Sequence, residues 1–318
     1  MKKIMASLVA IAALVGCSKS DDNGGISISE GTFPKKIVNK GSNGNVTNET
    51  IYNLQGGKIL STTFISYKPD GDIERKSLTS ASYEGDYPKE ITHTESITNG
   101  EKKNYTETYS FVDGKLKTTI KKYDNSDRAT TTTYSYHNDG KLAKVLFEEP
   151  GNAGQNGQIE KITFVTETDY THTGNVISAA EKTYTKDAQG NKRDGNTSLT
   201  TYTYTFENDN LIKVTESTTD HESTTEYTYD GKNNPNLQNL KKLVDPDYFI
   251  SASGSKNNIL TEKTTYKGSH NASPYVSEYV YEYTYADNNY PLTEKVFRKR
   301  TENGVEKKEL VLTKEYTY

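Results

Sequence analysis

The 318-residue chain carries 39 basic and 43 acidic side chains, a formal net charge of −4, and so lacks the basic footprint that nucleic acid requires. Only 31% of its residues are hydrophobic and its mean hydropathy is −0.87, poor provision for a compact apolar core. Disorder is nevertheless excluded by 25 tyrosines, abundant threonine and regular alternation, because disordered chains are depleted in aromatic and β-branched residues.

Lys2 and Lys3 precede an apolar run, Ile4 to Val15, which has signal-peptide length and falls short of the roughly twenty apolar residues that span a bilayer. The run ends in Leu14-Val15-Gly16-Cys17, where small Gly16 leaves room for a peptidase and Cys17 is the single cysteine. These residues resemble a bacterial lipoprotein signal with its lipobox. The resemblance implies removal of residues 1–16 and acylation of Cys17, so that outer-membrane lipid holds the mature chain. No thiol is then left for a disulfide, a nucleophile or a metal site. Loss of Lys2 and Lys3 from the 39 basic residues leaves 37 against 43 acidic ones, a mildly acidic surface that favours solubility.

Residues 17–32 form a polar tether of flexible composition. Its start, Ser18-Lys19-Ser20-Asp21-Asp22, resembles the acidic export signal that follows the lipidated cysteine in surface-exposed lipoproteins of the Bacteroidota. That resemblance implies that Lys19, Asp21 and Asp22 direct the protein to the cell surface. A plain solvated linker is the alternative reading.

Residues 33–318 read as a single domain dominated by period-two alternation, the mark of half-buried strands. Tyr105 to Phe111, Thr131 to Tyr136, Thr201 to Phe206, Thr224 to Tyr229 and Tyr279 to Tyr285 each gather their aromatics on one face. Turn residues follow each run, as in Asp113-Gly114, Asn138-Asp139-Gly140, Asn208-Asp209 and Asp230-Gly231, with Pro69-Asp70-Gly71 earlier. Glu149 to Gly157 and Lys186 to Ser198, rich in Gly, Asn and Asp, read as long polar loops. Between Pro235 and Asn258 the alternation stops, and Leu237, Leu240 and Leu243 recur at a helical spacing. The fold expected is all-β: an antiparallel meander of hairpin repeats forming an elongated, curled or half-barrel sheet, with one short helical insertion near 235–245. Tyrosine must supply much of its core, rings covering the concave face while hydroxyls reach water or edge groups.

Tyr134-Ser135-Tyr136-His137-Asn138-Asp139-Gly140-Lys141-Leu142 and Tyr227-Thr228-Tyr229-Asp230-Gly231 resemble the tyrosine-aspartate, or RHS-like, repeat. In long proteins such repeats wind into shells around toxins, for which this chain is too short. Tyr229 to Pro235 and Ser255-Lys256-Asn257-Asn258-Ile259 resemble small Bacteroidota lipoproteins built from the same hairpins. These resemblances imply architecture and no particular activity.

Few residues fall in patterns that carry chemistry. His93, His137, His172, His221 and His270 are widely separated and match no metal-ligand spacing. No nucleotide-binding or nucleophile-elbow motif is present. The pairs Asp70 and Asp72, Asp124 and Asp127, and Asp245 and Asp247 could offer oxygen to calcium, but are also ordinary turn formers. No catalytic residue, metal or cofactor is therefore expected. The tyrosine face alone has functional potential, since aromatic rings can stack on sugar rings or receive a partner's apolar side chains.

The function expected is that of a non-catalytic outer-membrane lipoprotein, exposed at the cell surface, acting as a binding or accessory subunit. Its expected partners are an integral outer-membrane β-barrel protein or a cell-surface polysaccharide, reached through exposed tyrosines or loop residues Asn152 to Gln158. The alternatives are a glycan-binding or glycan-degrading protein of a nutrient-uptake system, against which the absence of Trp counts, and a structural or adhesive surface protein.

Overall fold

The computed structural model describes residues 28–318 apart from positions 30, 98–102, 127, 156–157, 194–196, 239–244, 269–272 and 303–304. Eighteen strands account for most of it: β1 Lys36–Gly41, β2 Val46–Gln55, β3 Lys58–Tyr67, β4 Ile73–Glu84, β5 Tyr87–Ile97 and β6 Tyr105–Val112. They continue with β7 Lys115–Tyr123, β8 Ala129–Tyr136, β9 Leu142–Gln155, β10 Gln158–Thr173, β11 Val176–Lys186 and β12 Ser198–Glu207. The last six are β13 Asn210–Ser217, β14 His221–Tyr229, β15 Ile259–Gly268, β16 Tyr275–Tyr285, β17 Pro291–Glu302 and β18 Val305–Thr317.

Each strand pairs antiparallel with its sequence neighbours, and β1 also pairs with β18, from Lys36 opposite Thr317 to Gly41 opposite Leu312. The meander is therefore a closed 18-strand barrel, which overturns the expected elongated, curled or half-barrel sheet. An open sheet would leave the backbone groups of β1 and β18 exposed to stray pairing, whereas closure satisfies both edges. The expected helical insertion is corrected as well. Among the described residues there is no α-helix, only single 3-10 turns at Pro235–Gln238, Tyr248–Ile250 and Ala252–Gly254. The expected loop at 149–157 is strand up to Gln155, whereas 187–193 does carry a polar loop.

Alternation and turn chemistry together build these hairpins. Five connections, spanning 41–45, 68–72, 137–141, 187–191 and 286–290, close by the same pair of backbone hydrogen bonds. His137 N donates to Lys141 O at 2.8 Å while Gly140 N donates to His137 O at 2.9 Å. Gly140 takes φ +87°, the left-handed region, and Asn289 takes the equivalent place at φ +64°. The aspartates of such turns are used locally: Asp139 accepts from the Lys141 amide and Asp70 from the Asp72 amide, both at 3.1 Å. Asp70 thus has the turn-forming role that the sequence allowed it.

The tyrosine face points inward. Ile59, Ile91 and Phe33 form one buried cluster; Leu116, Tyr134, Leu142, Tyr170 and Ile177 belong to a second. Both lie toward the end of the barrel where β1 begins and β18 ends, called here the terminal end. There a recurrent clamp joins the strands of a hairpin pair: a ring near the end of one strand donates to the carbonyl of the first inward residue on the strand before it. Tyr83 donates to Ile59 O (2.8 Å), Tyr136 to Leu116 O (2.8 Å), Tyr229 to Leu211 O (2.6 Å) and Tyr283 to Ile259 O (3.0 Å). Phenols that were expected to reach water or sheet edges thus find protein carbonyls. The segment between β14 and β15 folds into the same end, where Phe249 and Ile250 pack on the second cluster and Asp247 accepts from Tyr170 at 3.2 Å.

The outer wall is polar. Thr131, Thr133 and Ser135 face out on β8, and Thr201, Thr203 and Thr205 on β12, opposite in parity to their inward tyrosines. Between them run cross-strand ion pairs: Lys144 with Glu167 at 2.8 Å and Asp169 at 3.2 Å, Lys186 with Glu148 at 2.6 Å, Lys299 with Glu278 at 2.8 Å, and Lys40 with Glu315 at 2.5 Å.

Candidate functional site

Cys17, Lys19, Asp21 and Asp22 lie outside the described residues, and so does His270. Phe33 is buried at the terminal end, and the segment before it is fixed there too, since Ile28 N donates to Gly57 O at 2.9 Å and Asn288 Nδ2 to Gly31 O at 3.0 Å. The tether therefore meets the barrel at its terminal end. The opposite end, called here the loop end, carries the connections at 42–45, 68–72, 187–193 and 218–220.

Two polar groups of side chains occupy the inner wall above the apolar clusters. The first spans β4 to β7. Glu95 is 2% exposed, ion-pairs with Arg75 and accepts from the Lys103 amide at 3.2 Å. His93 Nδ1 is 2.9 Å from Thr79 Oγ1, and its ring stacks on Tyr105 with centroids 4.6 Å apart. Burial lowers the His93 pKa, with Arg75 and Lys121 adding to the effect and Glu95 opposing it. Lys121 sits 3.6 Å from the Tyr105 centroid and 3.3 Å from Glu107, which accepts from Tyr109 at 2.6 Å. Every charge in this group has a partner and little of it reaches solvent, which suits a structural core better than a site.

The second group is a row across the inner wall toward the loop end. Register places Tyr202 opposite Glu216, Glu216 opposite Ser223, Ser223 opposite Tyr266 and Tyr266 opposite Tyr275. Five neighbouring strands, β12 to β16, thus bring one side chain each into a single cross-strand row, with adjacent strands about 4.8 Å apart. His221 joins the row from β14, its Nε2 3.3 Å from Glu216 Oε1 and its ring stacked on Tyr266 at 5.2 Å. On β17, Arg298 donates to the Tyr275 hydroxyl at 2.8 Å. On β11, burial first and Glu216 second raise the pKa of Glu181. Tyr202 is pushed up to about 12, by burial and then by Glu181 and Glu216.

Unlike the tyrosines at the terminal end, this row meets solvent: Tyr266 is 37% and Tyr275 57% exposed. It combines partly exposed tyrosine rings with a carboxylate acceptor, an imidazole and a guanidinium donor. That combination can bind a ligand bearing both apolar faces and hydroxyls. Sequence reasoning gathered Tyr279 to Tyr285 on one face but missed the row, because its members lie on separate strands aligned only by pairing. Among the described residues no three His, Cys, Asp or Glu side chains are placed to hold a metal ion.

No protein-family model matches the chain, and no curated relative does either. Among solved structures it is similar to a porin-like protein of Bacteroides vulgatus ATCC 8482, at 14% identity and a TM-score of 0.36, over 90% of this chain and 98% of that one. A porin-like protein of Bacteroides uniformis ATCC 8492 gives 14% identity and 0.36, over 89% and 97%. The TcdB2-TccC3-TEV structure gives 13% identity and 0.15, over 83% of this chain and 18% of that one.

Proposed function

We propose that this chain is an outer-membrane lipoprotein, held through acylated Cys17 and exposed at the cell surface, whose barrel stands in water as a non-catalytic binding or accessory subunit. The outer wall carries this reading. A membrane-spanning barrel needs an apolar outer band, and a Lys or Arg facing lipid at the midplane costs about 2–4 kcal/mol. Here Lys144, Lys182, Lys186 and Lys299 all face outward with their acidic partners. A barrel with such a wall needs an anchor other than its strands, and the Leu14-Val15-Gly16-Cys17 sequence supplies one. On this reading the anchor joins the barrel at its terminal end, and the loop end is the end opposite the anchor.

The deciding test is Cys17→Ala with palmitate labelling and fractionation. The unsubstituted protein is expected to take up label and to leave the membrane only with detergent, while the variant takes up none and is not held. A variant that still resists alkaline extraction would mean that the strands themselves span the bilayer. The acidic tether is tested separately: Asp21→Ala with Asp22→Ala is expected to keep lipidation but to reduce protease accessibility on intact cells. A second reading, glycan binding in a nutrient-uptake system, is favoured by the solvent-facing row of Tyr202, Glu216, Tyr266 and Tyr275.

A further inference from the structure

We infer that the inner-wall row at the loop end is a binding site for a neutral sugar chain, laid across strands β12 to β16 with Tyr266 and Tyr275 as its stacking platforms. The inference rests on the reading of this chain as a water-facing binding module. Four observations select this ligand class. The row runs perpendicular to the strands for about 19 Å at 4.8 Å per strand step, a surface suited to an extended polymer rather than a compact metabolite. Tyr275 offers an exposed ring and Tyr266 the ring face that His221 leaves uncovered, each able to lie on the apolar C–H face of a pyranose.

Its polar groups complement hydroxyls. Glu216 accepts hydrogen bonds, while Arg298, already fixed on the Tyr275 hydroxyl, donates them. Glu181 and Glu216 on the row would repel an acidic polysaccharide, and the single guanidinium of Arg298 is engaged with Tyr275. A peptide ligand is disfavoured, because strand addition needs a free sheet edge and β12 to β16 are each paired on both sides.

The test uses the full mature chain and follows tyrosine fluorescence, which no tryptophan obscures. The probes are cellohexaose, mannohexaose, xylohexaose and maltohexaose, with hexagalacturonate as the acidic control. Saturable binding of at least one neutral hexasaccharide is expected. Tyr266→Ala and Tyr275→Ala should each weaken it at least tenfold and Arg298→Gln should weaken it less, while Tyr184→Phe, which removes the hydroxyl that donates to Glu167 on the outer wall, leaves it unchanged. Unaltered circular dichroism of each variant separates lost binding from lost fold. The inference is overturned if no neutral probe binds, if the acidic probe binds best, or if the inner-wall substitutions change nothing. Fixed-ratio recovery of an integral outer-membrane protein without sugar binding would overturn it while leaving the accessory reading standing. Sugar binding by a chain that takes up no palmitate would uphold it and remove the lipoprotein reading.

Discussion

Tyr136 illustrates how this chain builds a core from a polar aromatic. Its ring packs on the Leu116 and Tyr134 cluster while its hydroxyl satisfies the Leu116 carbonyl at 2.8 Å. Phe111 and Phe206, which precede the turns after β6 and β12, pack against the same cluster without a hydroxyl. The ring therefore holds its place by packing, and the hydrogen bond adds to it. Tyr136→Phe is expected to cost about 0.5–1.5 kcal/mol, read from the denaturation midpoint at unchanged slope. Glu181 behaves in the opposite sense. Its folded pKa lies above the unfolded value, so its favourable contribution is complete below the ordinary carboxylate range and lost as pH rises through the raised value. Glu181→Gln is accordingly expected to raise the melting temperature at neutral pH and to lose that advantage below about pH 4. A variant that melts lower at neutral pH would show Glu181 to be stabilising in its charged form.

Among the elements, the β9–β10 hairpin departs most from the barrel pattern. β8 stops pairing at Glu148 and β11 at Thr163, so 149–155 and 158–162 form a two-stranded ribbon projecting from the loop end. Pro150 lies opposite Thr163 and has no amide to donate, which is harmless on a strand edge without a partner. The sequence signs of a loop, Pro150-Gly151-Asn152 and Gly154, here belong to a ribbon edge. A Cβ at Gly151 would come within 2.4 Å of the Phe164 ring, which would have to shift to admit it. Replacing residues 150–162 by a short Asn-Gly turn is expected to keep a cooperative melt and a β-rich spectrum, since Ile162 is its only buried side chain among those described. Loss of cooperativity would mean that the ribbon supports the wall.

For the molecule as a whole, closure decides the fold. Val38 of β1 faces Glu315 of β18, residues 38 and 315 of one chain brought within cross-strand distance. Opposed antiparallel residues have Cα atoms about 4.5–5.5 Å apart, inside the range a disulfide can bridge. Val38→Cys with Glu315→Cys, in a chain whose own thiol is lipidated or replaced, is expected to form a disulfide on oxidation and raise stability by about 2–4 kcal/mol. Faster migration on a non-reducing gel would register the bridge. Free thiols after oxidation would mean that the first and last strands do not meet.

The sequence by itself determined the class of structure and its local parts. Alternation in Thr201 to Phe206 and Tyr279 to Tyr285 specified strands with one aromatic face, and Asn138-Asp139-Gly140 specified a left-handed turn position, because both depend only on neighbouring residues. Tertiary structure alone decided that the sheet closes, since a period of two is the same in open and closed sheets and the pairing of β1 with β18 joins residues almost a full chain length apart. It likewise decided what fills the terminal end. Leu237, Leu240 and Leu243 suggested a helix; Leu240 and Leu243 lie outside the described residues, Leu237 sits in a 3-10 turn, and Phe249 and Ile250, in another, pack against the wall. The aromatic row was settled at the same level: Tyr202, Glu216, Tyr266 and Tyr275 become neighbours only through the accumulated register of four strand pairs, which no local spacing encodes.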